Sequence, residues 1–286
     1  MRFQEVYKVG FNSVSVLMSS FREYWPTDDM VVRDISEGEY QEAEAFSWWF
    51  AMLNSANPGD VVVDAGAYSG IYSLMAAKVR PDTRCIAIEA SSVTFGRLFS
   101  NILLNGAGSL INPNHIALST KREIVSLCHP FGVMTMSSGE SLRPTYDVDH
   151  TELVAGTTLD ELLMQSEAGF GPVASKASNI LPIKGIAAMK IDLEGVESDV
   201  LEYAGNVLST YTPPILIELL TDEAMSKCSS ILSKFGYELA ASCAGRNYVF
   251  ITPEKRKPIS ESLGLLKEQG ECVFELEKVS SVEFSC

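Results

Sequence analysis

Residues Val61–Gly70 read VVVDAGAYSG and run on into IYSLMAAKV, residues 71–79. Three β-branched residues, Val61 to Val63, predict a buried strand, because a parallel strand covered on both faces is apolar without alternation. Asp64 ends it. Gly66 and Gly70 allow a tight turn, and Ile71, Leu74, Met75 and Val79 then recur at helical spacing. Strand, glycine turn and helix together open a nucleotide site in a doubly wound sheet, where ligands sit beyond the carboxyl ends of the strands.

The glycine spacing narrows the ligand. A dinucleotide fingerprint needs GxGxxG, yet the second and third glycine positions hold Tyr68 and Ile71. What stands there is DxGxxxG, with a carboxylate before the first glycine. That suits a ligand without phosphate and with a positive centre, which describes S-adenosylmethionine. A second strand, Cys85 to Ile88, ends in Glu89, where an acid can accept ribose hydroxyls. The candidate cofactor contacts are therefore Asp64, Gly66, Ala67, Tyr68, Gly70, Glu89 and Ala90. The plainer reading is that Asp64 caps the turn and Glu89 is a solvated strand end.

Composition sets outer limits. A chain of 286 residues fits one α/β domain with decorations. Net charge is −15 with no Lys/Arg run, which argues against nucleic acid or an anionic membrane surface as a partner. Six scattered cysteines form no CxxC and no metal spacing, so they read as reduced thiols of a cytoplasmic protein. Neither a membrane-spanning run nor a signal peptide is expected.

Along the chain, residues 1–38 are expected to form an N-terminal extension or lid, with Val14–Met18 apolar and Trp25-Pro26 a break. A helix is expected over Glu39–Asn54, with Trp48 and Trp49 packing in the core or lining a substrate mouth. After Glu89, Ser91 or Ser92 can cap a helix that ends at Asn105-Gly106. Ile111–Leu118 reads as a third strand, placed by Pro113 at an edge or bulge. Ala117 near its end leaves room for an adenine ring, and His115 reads as structural rather than as a base. Residues 119–185 form an insertion with short strands at Glu123–Leu127, Val133–Met136 and Thr151–Ala155. Thr158-x-x-Glu161 is a capping box that explains Asp160 and Glu161, and Gly169–Pro182 is a loop.

The second chemical stretch is IAAMKIDLEGVESDVLEYAGNV, residues 186–207. Its buried strand delivers Lys190, Asp192 and Glu194 to the mouth of the sheet, while Glu197 fits an acidic helix start. Glu218 sits inside the apolar strand Ile215–Leu219, where a carboxylate needs a partner or a task. Tyr237–Ala241 and Asn247–Ile251 close the sheet as an antiparallel pair.

VVVDAGAYSGIYSLMAA, CIAIEAS, TTLDELL, MKIDLEGVESDVLEYAGNVL and ILIEL occur in the order seen in the FkbM-type methyltransferase family, which the chain resembles over roughly residues 40–252. The resemblance implies a Rossmann-like methyltransferase fold: α/β, doubly wound, with a seven-stranded, mostly parallel sheet and an antiparallel last strand. It implies S-adenosylmethionine as cofactor, held by Asp64, Gly66 and Glu89, and O-methylation of a hydroxyl on a sugar, glycan or secondary metabolite. Active-site polar groups would be Lys190, Asp192, Glu194 and Glu197, with Asp192 or Glu194 the base and Lys190 orienting it. A divalent metal across Asp192 and Glu194 is conceivable, but no second acid cluster supports one. Tyr68 replaces the family's Asn, and Ala90-Ser91 replaces its Pro. The methyltransferase domain would span 39–257 and a C-terminal appendage 258–286. Rival readings are a nicotinamide oxidoreductase, opposed by the missing GxGxxG, and a non-catalytic scaffold.

Overall fold

A computed structural model of the chain describes residues 2–20, 29–130, 148–164, 183–268 and 272–284. It opens with a hairpin, β1 (Arg2–Phe11) and β2 (Val14–Ser20), followed by α1 (Met30–Glu37) and α2 (Ala43–Asn54). The Asp29 carboxylate caps α1 by accepting from the Val32 amide, and Gly38 at φ 72° stops it. Next come β3 (Val61–Ala65), α3 (Ile71–Val79), β4 (Arg84–Glu89), α4 (Ser92–Leu104) and β5 (Ile111–His115). The insertion supplies β6 (Ala117–Leu118), β7 (Glu123–Pro130), β8 (Val148–Thr157) and α5 (Leu159–Met164). The remaining elements are β9 (Ile186–Ile191), α6 (Glu197–Glu202), α7 (Gly205–Tyr211), β10 (Ile215–Glu218), α8 (Asp222–Ser233), β11 (Glu238–Cys243), β12 (Asn247–Ile251), α9 (Pro253–Glu268) and β13 (Phe274–Phe284).

Seven strands form the central sheet in the order β11-β12-β10-β9-β3-β4-β5. β5, β4, β3, β9 and β10 are mutually parallel, and β12 runs antiparallel to both of its neighbours. This is the expected architecture: a mostly parallel sheet whose last strand in sequence is reversed. The chain builds outward from β3 to β5, then returns to the other side of β3 with β9. The order therefore reverses between β3 and β9, the place where doubly wound sheets bind ligands.

Alternation along each strand sorts two cores. Val62, Ala188 and Leu216 face α2, α3 and α9, where Phe46, Trp49, Met75 and Ile259 are buried. Val63, Met189, Ile191 and Ile217 face α6, α7 and α8, where Leu201, Val207 and Leu232 are buried. Strands covered on both faces have no polar face to show, so VVV and IAAM carry no binary pattern. Both ends of the chain join the first core. β13 pairs antiparallel with β1 along its length, and Phe274 packs 4.7 Å from Phe11 and 5.0 Å from Phe46 between ring centroids. On the other side, Asn101 and Asn105 accept from the Ser19 and Leu17 amides, fastening β2 to α4.

Several local readings shift. The helix expected from Glu39 begins at Ala43, because Tyr40 and Glu42 are drawn into side-chain hydrogen bonds. Trp49 is fully buried and donates to the Tyr72 carbonyl at 3.3 Å, while Trp48 packs half-buried against the same core; both are core residues. The third strand divides: β5 is the edge of the large sheet, while Ala117–Leu118 pairs with β8 in a separate three-stranded sheet. β7 pairs with β8; Val133–Met136, Trp25-Pro26 and the loop Gly169–Pro182 lie outside the described residues. The boundary at 257/258 falls inside α9, whose Ile259, Leu263 and Leu266 are buried in the first core. Thr158 caps α5 through the Glu161 amide, and Asp160 accepts from the Asn206 and Val207 amides at the start of α7. Among the described residues no helix is long and apolar enough to cross a membrane.

Candidate functional site

An open cleft of about 650 Å³ lies at the carboxyl ends of β3, β4 and β9, over the point where strand order reverses. Ile88, Ile116, Ala117, Leu118 and Leu127 form an apolar wall, and Gly66, Tyr68 and Ala90 form a second side. Among the described residues, Glu89, Asp192 and Glu194 supply the lining's charge, and no lysine or arginine lines the cleft.

Backbone geometry shapes this cleft. Gly66 adopts φ 82°, and a β-carbon there would lie 1.7 Å from the Asp192 carbonyl oxygen. Only glycine lets the turn after β3 pass the turn after β9. Tyr68 and Glu194 also lie in the left-handed region, at φ 50° and 55°, so two non-glycine cleft residues hold a costly conformation. Glu197 fixes the second turn: its carboxylate, 2 % exposed, accepts from the Leu193 and Gly195 amides, both at 3.0 Å. Burial raises the Glu197 pKa while these amides oppose the shift.

Glu89 is fixed from two sides. Its oxygens accept from the Tyr68 amide at 2.8 Å and the Ser91 amide at 2.9 Å. Tyr68 extends the link outward: its hydroxyl accepts from the Met30 amide at 3.1 Å and from Arg97 at 3.2 Å, and Arg97 lies 3.5 Å from Asp29. Tyr68 thus ties the cleft loop to the start of α1.

Behind the cleft, on the face toward α2 and α3, runs a polar row. Lys190 is 1 % exposed and donates to Asp192 at 3.1 Å and to Asn247 on β12 at 3.2 Å. Its ammonium sits 5.3 Å from the centre of the Tyr72 ring, within cation–π range. Tyr72 and Tyr40 both donate to one oxygen of Glu42, at 2.7 and 2.9 Å. Burial by itself would lower the Lys190 pKa, but Asp192, Glu42 and Glu218 together outweigh it, and the ammonium is held charged. Asp64 stands beside Lys190 in the strand register, 1 % exposed, accepting from the Ser73 hydroxyl at 2.5 Å. Burial pushes its pKa up to about 6, against the pull of Ser73 and Lys190.

The eleven candidate residues therefore divide. Gly66, Tyr68, Glu89, Ala90, Ala117, Asp192 and Glu194 meet in the cleft. Asp64 and Lys190 lie one layer behind it, Ala67 is buried in the turn, and Gly70 at φ 95° begins α3 with Leu98 packed against it. Asp192 belongs to both sets and is the link between them. His115 lies 3.0 Å from the Ala90 carbonyl oxygen and stacks on Phe95, a structural placement. Sequence reading did not single out Tyr40, Glu42, Tyr72 or Asn247. Their alternate positions gave no sign, because they come from elements that meet only across the folded sheet. Among the described residues no group of three or more His, Cys, Asp or Glu side chains could hold a metal ion.

No family model matches this chain, and no curated protein matches it in sequence. Among solved structures it is similar to methyltransferase FkbM from Methylobacillus flagellatus KT, with 14% identity and a TM-score of 0.46, over 68% of this chain and 44% of that one. It is also similar to precorrin-6y C5,15-methyltransferase from Geobacter metallireducens GS-15, with 13% identity and a TM-score of 0.39, over 71% and 85%. A third is M. jannaschii TYW2, solved in complex with AdoMet, with 11% identity and a TM-score of 0.38, over 82% and 80%. The chain spans under half the length of the Methylobacillus protein. Likenesses this distant carry no argument about activity, and the fold is read from the order and direction of its own seven strands.

Proposed function

We propose that the protein is an S-adenosylmethionine-dependent methyltransferase acting on a hydroxyl of a sugar, glycan or secondary metabolite. One observation carries this: the cleft joins an apolar wall to three carboxylates, and among the described residues no lysine or arginine lines it. A pyrophosphate would be repelled there, whereas a ligand with a sulfonium and an ammonium would be attracted. Ala117 and its apolar neighbours fit the ring, and Glu89, fixed by two amides, is placed to accept ribose hydroxyls.

When bound, the cofactor would supply an electrophilic methyl group, with its sulfur as the leaving group. The chain's part is to position the acceptor and remove its proton. Asp192 faces the cleft, its side chain 25% exposed, and accepts from the Lys190 ammonium at 3.1 Å. An oxygen lone pair of the acceptor would form the new O–C bond, and Asp192 would take the proton while the O–H electrons stay on oxygen. Glu194, in the same lining, would hold a neighbouring hydroxyl of the acceptor. The same reading puts the protein in the cytoplasm, where its five described cysteines would stay the free thiols they are. Small molecules or glycans, rather than nucleic acid or a membrane surface, suit its net charge of −15.

Thermal melting with S-adenosylmethionine, S-adenosylhomocysteine and NAD in parallel tests the cofactor. A ligand at about 100 times its dissociation constant adds roughly 2.7 kcal/mol to the folded state. A rise with both adenosyl ligands and none with NAD is expected. No rise with either adenosyl ligand favours a non-catalytic scaffold, and a rise with NAD alone refutes the assignment. Asp192→Asn should then cut turnover on a screened acceptor by roughly 100-fold or more and leave the melting shift in place.

A further inference from the structure

Glu218 ends β10 on the same face as the polar row, and the sheet register fixes why. Leu216 pairs with Lys190 and Ile217 with Ile191, so the next step sets Glu218 alongside Asp192. On its other side Glu218 pairs with Asn247, the residue to which Lys190 donates. The sheet therefore brings the two carboxyls side by side on one face. Two carboxylates so placed repel one another, and a proton held by one lets it donate to the other.

The surrounding groups decide which one holds the proton. Lys190 donates directly to Asp192, at 3.1 Å. Glu42 accepts from the Tyr40 and Tyr72 hydroxyls. Asp64 receives the Ser73 hydroxyl. Lys190 is thus shared among several acids, and Glu218 is the one left to meet them as a neutral group. Its pKa is raised well above the ordinary carboxylate range, first by burial and then by Asp192, with Lys190 opposing.

We propose that Glu218 is a positioning residue that stays protonated at neutral pH and donates its O–H to Asp192. The consequence is chemical. An ionised Glu218 has no hydrogen to donate and leaves Asp192 oriented by Lys190 alone. A neutral Glu218 orients the Asp192 carboxyl together with the Lys190 ammonium, toward the acceptor's proton. That catalytic meaning rests on the methyl-transfer reading, while the shared proton stands independently of it.

Infrared difference spectroscopy of the full-length protein, from neutral to alkaline pH, detects the carboxylic-acid C=O stretch and needs neither cofactor nor acceptor. The wild type is expected to show a buried-acid band at neutral pH that disappears only on the alkaline side. Glu218→Gln should lack this band. Asp192→Asn, which removes the neighbouring negative charge, should keep the band but lose it at a lower pH than the wild type. Absence of an acid band in the wild type at neutral pH, or its persistence unchanged in Glu218→Gln, overturns the proposal. So does an unmoved titration in Asp192→Asn, which holds even if the Gln variant fails to fold. These outcomes are separate from the melting experiment: failure to bind S-adenosylmethionine refutes methyl transfer and leaves the shared proton intact. Should an acceptor be found, turnover is expected to fall at alkaline pH in step with the band. A pH–rate profile that ignores the band refutes the positioning role alone.

Discussion

Replacing Gly66 with alanine isolates the close approach on which the cleft depends. The substitution meets two costs. Alanine at φ 82° sits in the left-handed region, a penalty of roughly 1–2 kcal/mol. Its β-carbon would also lie 1.7 Å from the Asp192 carbonyl oxygen, a backbone atom that cannot rotate away. Relieving that overlap must separate β3 from β9 where the Asp192 amide donates to Ala65 at 2.9 Å, at a further cost of about 1–3 kcal/mol. Gly59 is the matched control, since it has φ 87° and nothing within 4 Å of a β-carbon. Gly59→Ala should therefore carry the backbone penalty alone. At roughly 2 °C per kcal/mol for a chain of this size, Gly66→Ala should melt about 4–10 °C below wild type, and Gly59→Ala about 2–4 °C below it. Circular dichroism melts of the two variants measure the difference. Equal melting temperatures would show that the Gly66–Asp192 contact exerts no constraint, and would remove the basis for reading Gly66 as the fulcrum of the cleft.

Three more outcomes follow from the same contacts. Lys190→Met leaves Asp192, Glu42 and Glu218 without their shared cation, so denaturant unfolding should show a loss of about 3–5 kcal/mol at neutral pH; a loss under 1 kcal/mol would refute the ion-pair account. Asp64 has a folded pKa of about 6, above its unfolded value, so its stabilising contribution is fully present below the unfolded value of about 3.8 and lost as pH rises through 6. The roughly two-unit gap is worth about 3 kcal/mol, and Asp64→Asn should flatten that part of the stability–pH curve; an unchanged slope counts against it. Tyr68→Phe removes the acceptor for the Met30 amide and Arg97, so it should cost about 1–2 kcal/mol and speed hydrogen exchange at Met30, with no effect at Met30 contradicting the link.

Much of the sheet was legible because its strands carry their burial in composition. Val61–Val63 and Ile186–Met189 are uniformly apolar, as strands covered on both faces must be, and glycine turns mark where they end. Pro113 correctly marked an edge strand, because its missing N–H can be tolerated only there. The ends of the chain were not legible: β1 and β13 pair across more than 260 residues, and no local period announces a partner so far away. The α2 start was misplaced for the same kind of reason, since Glu42 is held by Tyr72 from another helix.

For the site, the sequence by itself determined the acids and glycines at strand ends: Gly66, Glu89, Asp192 and Glu194 all reach the cleft because a parallel strand delivers its last residues to one edge. Tertiary structure alone decided their roles. Asp64 and Lys190 read like Asp192 in sequence, yet they sit inside β3 and β9, paired and buried one step behind the cleft, while Asp192 stands past the end of β9. Glu218, Glu42, Tyr72 and Asn247 join Lys190 only because β10, β12 and α3 converge there. Proton sharing among carboxyls depends on distances of a few ångströms across separate elements, and a linear order of residues does not contain those distances.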